Sequence, residues 1–136
     1  MGNRKGARRE RELRDLFREE GFAVIRVAGS GSSPDDDLPD LFVGDGDRMF
    51  AFEAKASERD SYIYLPAAEV AALCNFSRQF HRTARPRIAV RFDYDDWFIR
   101  EPTEAWRDYH TDAGNLRVGI DDLDAWTPLA DVLGGD

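Results

Sequence analysis

Asp40, Glu53 and Lys55 are the residues whose types and spacing could do chemistry. Hydrolysing a phosphodiester at neutral pH calls for a hard divalent cation to neutralise the phosphate and activate water, and such cations take oxygen ligands. Asp40 and Glu53 can supply carboxylate oxygens. A lysine two positions beyond the second carboxylate, on the same face of a strand, can orient the attacking water or stabilise charge developing on the phosphate. Lys55 holds that place. The bland alternative is a solvated Glu-Lys ion pair on a strand, which is common. Two features favour chemistry. Glu53 and Lys55 interrupt a run otherwise built from Met, Phe and Ala, where unpaired charge is costly to bury. The chain also has only two lysines, Lys5 and Lys55, beside 17 arginines, and an ammonium does not do the work of a guanidinium.

These residues need elements to hold them. Leu13, Leu16 and Phe17 recur at helical spacing and Gly21 follows, which predicts an amphipathic helix over about residues 8–20. Phe22 to Val27 reads as a buried strand, and residues 28–39, rich in Gly, Ser and Asp, as a mobile loop. Leu41 to Val43, the turn formers 44–47 and Met49 to Ala56 form a hairpin, with Asp40 at the mouth of its first strand. Strand alternation then puts Ala51, Glu53 and Lys55 on one face and Phe50, Phe52 and Ala54 on the other. Pro66 opens a second helix running to about residue 80. Residues 87–92 and 97–99 read as strands, 116–120 as a last one, and Thr127-Pro128 as the N-cap and first turn of a short helix. Residues 101–115 carry no clear pattern.

The length, 136 residues, suits one domain, with residues 1–9 as a flexible basic N-terminal arm and 101–136 as an acidic C-terminal extension. Apolar runs are short and no signal-type start is present, so a soluble, cytoplasmic protein without membrane contact is expected. Cys74 is the only cysteine and lies in an apolar helical run as a reduced core thiol; His81 and His110 are isolated surface residues. The net charge of −8 conceals an alternation: +3 over residues 1–33, −6 over 34–60, +4 over 61–92 and −9 over 93–136. Nucleic-acid binding needs a local basic face and not a basic total, so the acidic total does not exclude it. Arg4, Lys5, Arg8 and Arg9 are the expected phosphate contacts of the arm, and Arg78, Arg82, Arg85 and Arg87 form a second basic patch. Avoidance of Lys beside abundant Asp resembles proteins of salt-adapted, halophilic archaea, although GC-rich coding also favours Arg.

Several segments in order resemble the archaeal Holliday junction resolvases, a PD-(D/E)xK nuclease family. They run from Arg4-Lys5-Gly6-Ala7 and Glu10-Arg11-Glu12-Leu13 through Gly21 to Ser30, Pro39-Asp40-Leu41 and Glu53-Ala54-Lys55, then on to Asn75 to Phe80 and Ile88 to Phe92. The resemblance implies an α/β, restriction-endonuclease-like domain with a mixed central sheet flanked by helices. It implies a homodimer making paired, Mg2+-dependent incisions in four-way DNA junctions, with Mn2+ as a substitute and a recombination or replication protein as a further partner. By the same resemblance Glu10, Asp40 and Glu53 are metal ligands, Lys55 the catalytic lysine and Ser30 part of the catalytic set. Arg11 and Arg26 face DNA, and Phe76 and Phe80 belong to the dimer surface. Asp35, Asp36 and Asp37 crowd the loop before Asp40, and one of them is the alternative ligand; a strand mouth holds Asp40 more rigidly. Other readings are a restriction or repair nuclease with the same core, a catalytically silent DNA-binding module, and an acidic interaction protein docking through residues 93–136.

Overall fold

The computed structural model describes residues 4–27 and 38–134. The first helix, α1 (Arg4–Glu19), starts earlier than expected and takes in residues 4–9 of the expected arm, whose first three residues lie outside the described ones. Arg, Lys and Ala are good helix formers and outweigh the single Gly6 in continuing the pattern that Leu13 and Phe17 establish. Gly21 ends the helix in the left-handed region (φ 88°), where a side chain would be strained. The chain then enters β1 (Ala23–Arg26), followed by β2 (Leu41–Gly44) and β3 (Met49–Ser57). β4 (Ile63–Pro66) leads into α2 (Ala67–Phe80), and β5 (Arg85–Phe92), β6 (Trp97–Arg100) and α3 (Pro102–Tyr109) follow. β7 (Asn115–Val118), a 3-10 turn (Ile120–Ala125), the two-residue β8 (Thr127–Pro128) and α4 (Leu129–Leu133) complete it.

The main sheet is mixed, in the order β1-β2-β3-β5-β6-β8. Only β3 and β5 run parallel, from Phe50↔Arg85 to Ser57↔Phe92, and α2 is part of the crossover between them. β1 to β3 form an antiparallel meander in which Leu41 faces Phe52 and Arg26 faces Leu41. β1 is therefore an edge strand, and Ile25 on it is 66% exposed, where a buried strand was expected.

Two cores form, one on each face of the sheet. Leu13 and Phe17 of α1 pack with Val24, Val43, Phe52 and Leu129 on one face. On the other, Val70 and Leu73 of α2 meet Ala51, Ile88 and Val90, with Ile63 and Leu65 of β4 and Leu116 and Val118 of β7. β4 and β7 pair as a separate two-stranded sheet that closes this second core. Residues 101–134 contribute to both cores: Ala105, Leu116, Val118, Leu123, Trp126 and Leu129 are all buried. Thr127 and Pro128 pair with β6 before α4 begins, in place of the expected cap and first turn. α3 supplies its own start signal, the Glu101 carboxylate accepting from Thr103 N (3.0 Å) and Glu104 N (2.9 Å) with Pro102 in the first turn.

α1 is held by Phe17, fully buried with ring centroids 5.4 Å from Phe22 and 5.3 Å from Phe52. Phe17→Ala should lower unfolding free energy by about 3–5 kcal/mol, the usual cost of deleting a core phenylalanine. Urea titration checks this, with a reduced midpoint at an unchanged slope.

Candidate active site

Asp40 is fixed by its main chain before its side chain acts. Its N–H donates to Phe52 O (2.8 Å) and its carbonyl accepts from Val27 N (2.9 Å), so it continues the ladder on both sides just before β2. The β2–β3 ladder stops there, while β3 runs on to Ser57. The Ala54 N–H, beyond the reach of β2, is taken by the Asp40 carboxylate at 2.9 Å in a buried hydrogen bond. That link closes the sheet where the strand pair opens, and it leaves Asp40 7% exposed.

Glu53 and Lys55 share a face of β3, as strand alternation requires, and Ala51 on that face packs under α2. Glu53 is 8% exposed. Burial pushes its carboxyl up to about 9, the charge of Asp40 adds to the rise, and Lys55 pulls against it. Glu10, from α1, reaches the same neighbourhood: burial first and Asp40 second push its carboxyl up to about 7, against Arg26 and Lys55. The Asp40 charge thus stands close enough to both glutamates to oppose their ionisation. The three carboxylates do not form a finished cage, since among the described residues no three His, Cys, Asp or Glu stand in ligand geometry.

Lys55 does not pair with Glu53 as its first partner. Its Nζ donates to Glu69 Oε1 of α2 at 3.2 Å. Burial alone would lower the Lys55 pKa, but Glu69, Glu53 and Asp40 outweigh it, so the ammonium is held charged. Glu69 was not among the expected site residues. A sequence signal exists for it: it is the single acidic residue between 61 and 92, in the first turn of α2 and otherwise readable as favouring the helix dipole.

The arginines fare differently from expectation. Arg26 Nε donates to Glu10 Oε1 at 3.2 Å, both side chains mostly buried. Arg9 bonds Glu12 (2.7 Å) and Asp93 (3.1 Å), tying α1 to the turn after β5. Arg8 and Arg11 are exposed on α1. Ser30, Asp35, Asp36, Asp37 and the side chains of Arg4 and Lys5 lie outside the described residues. The second basic patch is divided, because Arg85 and Arg87 lie over the Phe50 ring at 5.8 and 5.7 Å. Cys74 is only half-buried, and His81 and His110 are exposed.

Phe76 and Phe80 do come together. Their rings stack at 6.2 Å, and Phe42 of β2 lies 5.5 and 5.3 Å from them. Phe80 is 56% exposed, and Ile25, directly opposite Phe42 on the neighbouring strand, extends the same apolar face to the sheet edge. A cavity of about 520 Å3 lies elsewhere, between α1 and the C-terminal segment, lined by Glu12, Leu16, Trp97 and Leu129 among others. Glu10, Asp40 and Glu53 do not line it.

A mixed sheet with helices on both faces, bearing two buried carboxylates at a strand opening and a lysine one turn of the pleat beyond, defines the restriction-endonuclease-like class of fold. Within that class the family model of the archaeal Holliday junction resolvases matches residues 1–134. The chain belongs to that family. It is 36% identical over 96 residues to the crossover junction endodeoxyribonuclease Hjc of Methanocaldococcus jannaschii, covering 71% of this chain and 65% of that protein. To Hje of Saccharolobus solfataricus it is 33% identical over 101 residues, covering 74% of this chain and 73% of the other. The solved structure of Archaeoglobus fulgidus Hjc, a Holliday junction resolvase, superposes with a TM-score of 0.77 at 30% identity, over 95% of this chain and all of that one. The match to the M. jannaschii protein spans just under two thirds of its length. Among the described residues no helix is long and apolar enough to cross a membrane.

The crowded carboxylates make a stability prediction. A carboxyl whose folded pKa is raised stabilises the fold below its unfolded value, and that stabilisation is lost as pH climbs through the folded value. In chelator, stability should therefore fall as pH rises from about 4.5 to 9, the window that Glu53 sets. Glu53→Gln should flatten the fall and raise Tm near pH 8 by about 5 °C, which corresponds to ~1–2 kcal/mol in a domain of this size. Calorimetric scans of both proteins across that range are the check, and equal slopes would remove Glu53 as the cause.

Proposed function

We propose that this chain is a divalent-cation-dependent endodeoxyribonuclease that resolves four-way DNA junctions by paired incisions, working as a homodimer. The observation that carries the reading is the pair of buried carboxylates, Asp40 and Glu53, beside a charged Lys55 on the stretch of β3 that extends past β2, outside the cavity described above. A duplex is too large for a pocket, whereas an exposed edge can receive one.

The donor set fits a hard cation. Asp40, Glu53 and Glu10 offer oxygen only, and the Asp40 charge raises the carboxyl pKa of both glutamates, so an ion with two positive charges would relieve a repulsion the fold otherwise carries. Mg2+ suits oxygen donors that leave room for water, and Mn2+ accepts the same set. Bound there, the cation would neutralise the scissile phosphate and lower the pKa of the attacking water. The chain's own groups do the rest. Asp40, anchored through Ala54 N, fixes the position of one carboxylate; Arg26 orients Glu10; Glu69 holds the Lys55 ammonium charged and extended. Lys55 then faces the phosphate as a fixed positive charge against the negative charge of the transition state. The exposed Arg8 and Arg11 on α1, with Arg4 and Lys5 before them, and the loop bearing Ser30, are the proposed contacts to the DNA backbone.

Homodimerisation rests on the apolar face of Ile25, Phe42, Phe76 and Phe80, which α2 leaves uncovered at the edge of the sheet. A two-fold pairing of this face would place two sites in one particle, the arrangement that paired incisions demand.

Incubation with synthetic four-way junctions and matched linear duplexes tests the activity. The parent chain should cut junctions in Mg2+, chelation should stop it, Glu53→Gln should abolish cutting, and Lys55→Ala should slow it by about 100-fold or more. Equal cutting of duplex and junction would defeat the substrate assignment, and full activity of Glu53→Gln the catalytic one. Separately, Phe80→Asp should move sedimentation from dimer to monomer while retaining the far-ultraviolet dichroism of the parent; an unchanged mass would put the interface elsewhere.

A further inference from the structure

The outer face of the small sheet carries a cluster that the catalytic reading does not use. Tyr62 and Tyr64 are each 52% exposed, although Ile63 and Leu65 between and beyond them are buried. Their ring centroids are 6.3 Å apart in an edge-on arrangement. Arg117, in register with Tyr64 across β4 and β7, lays its guanidinium over the Tyr62 ring at 4.7 Å. Gly119 completes the seat, since a Cβ there would stand 2.9 Å from the Tyr62 ring. Two half-exposed aromatic rings and a guanidinium are thus packed together on and beside the strand pair.

This costs hydrophobic exposure, and packing gives no reason for it. Ile63, Leu65, Leu116 and Val118 already close the core beneath. Phosphate attraction is not what the patch offers either, because Asp122 borders it and the one cation is already stacked. What it offers is π surface, on which any base can stack.

Position relates it to the reaction. β4 passes directly into α2, whose Glu69 holds Lys55. Tyr64 and Glu69 are five residues apart, so chain geometry keeps them within about 18 Å. That is on the order of five base steps at the duplex rise of about 3.4 Å.

We propose that Tyr62, Tyr64 and Arg117 form a stacking platform for a base exposed at the branch point of the DNA, selecting open branched substrates over continuous duplex. The proposal rests on the branched-DNA reading above. A continuous duplex has no free base face to offer, so the platform adds affinity only where stacking is interrupted.

The experiment places 2-aminopurine beside the branch point of a synthetic four-way junction and follows its fluorescence on binding, in chelator so that nothing is cut. The full parent chain should change the emission. Tyr62→Ala/Tyr64→Ala should abolish the change and weaken junction binding by about 10-fold, as expected for losing a base-aromatic stack, while duplex affinity stays within about twofold. Tyr62→Leu/Tyr64→Leu keeps apolar bulk without the π face and should behave like the alanine pair, whereas Tyr62→Phe/Tyr64→Phe should behave like the parent. If the parent prefers junctions and the Leu pair retains both fluorescence change and affinity, the platform is overturned alone. If the parent shows no junction preference, the reading beneath it falls as well.

Discussion

The structure turns on negative charge held out of water where β2 ends and β3 continues. Asp40 and Glu53 are both buried there, with Glu10 mostly buried close by, and the charge of Asp40 opposes the ionisation of both glutamates. Left alone, such a cluster would be expected to loosen the strand pair. What keeps it closed is backbone pairing: Asp40 is hydrogen-bonded through its own N–H and carbonyl to the two neighbouring strands, and its carboxylate satisfies the Ala54 N–H. Burying a polar group without a partner would cost more than the repulsion it brings, so the carboxylate does structural duty and is positioned by it.

From that constraint the placement of the other parts follows. A parallel β3–β5 pair sends both strand ends to one edge, and its crossover carries α2, so Glu69 arrives beside Lys55 from the face opposite α1. α1, pinned by Leu13 and Phe17, brings Glu10 from the other face, where Arg26 meets it. The lysine and the outermost carboxylate each have a dedicated counter-charge on a different element. Side-chain ion pairs this exposed, such as Lys55–Glu69, contribute little to stability, of order 1 kcal/mol or less. Their value lies in orientation: a lysine stem is flexible, and a second contact restricts where its ammonium points.

Much of this was legible from residue order. The Asp40, Glu53, Lys55 set, the hairpin between them and the helix after Pro66 are all encoded locally, by alternation and by turn formers, and they appear where expected. Ile63 to Pro66 was not, because a four-residue strand ending in the proline that opens a helix looks like the helix start; only its pairing with Asn115 to Val118, some fifty residues on, makes it a strand. α3 was missed for a similar reason, since its apolar positions are few and its helix is set by the Glu101 cap. Thr127 and Pro128 have the chemistry of a helix start and were drawn instead into the sheet by β6. Arg9 counted as part of a free basic arm only while its partners, Glu12 and the distant Asp93, were invisible.

That last point bears on the proposed approach of an acidic chain to DNA. Segment totals suggested a surplus of positive charge over residues 1–33, yet Arg9 and Arg26 are committed to carboxylates within the protein, and Arg91 of β5 is turned toward Glu12. Charge spent on internal pairs is not available to release counterions from a phosphate backbone, so the electrostatic share of binding is smaller than composition implies. What remains is recognition by position: exposed arginines along one helix, an edge of the sheet open to a duplex, and a fixed ammonium beside buried carboxylates. A surface of that kind gains little from an unbroken rod of phosphate and more from a substrate whose shape lets several separated contacts form together. On the function proposed above, selectivity for structure over sequence would follow from the spacing of these contacts.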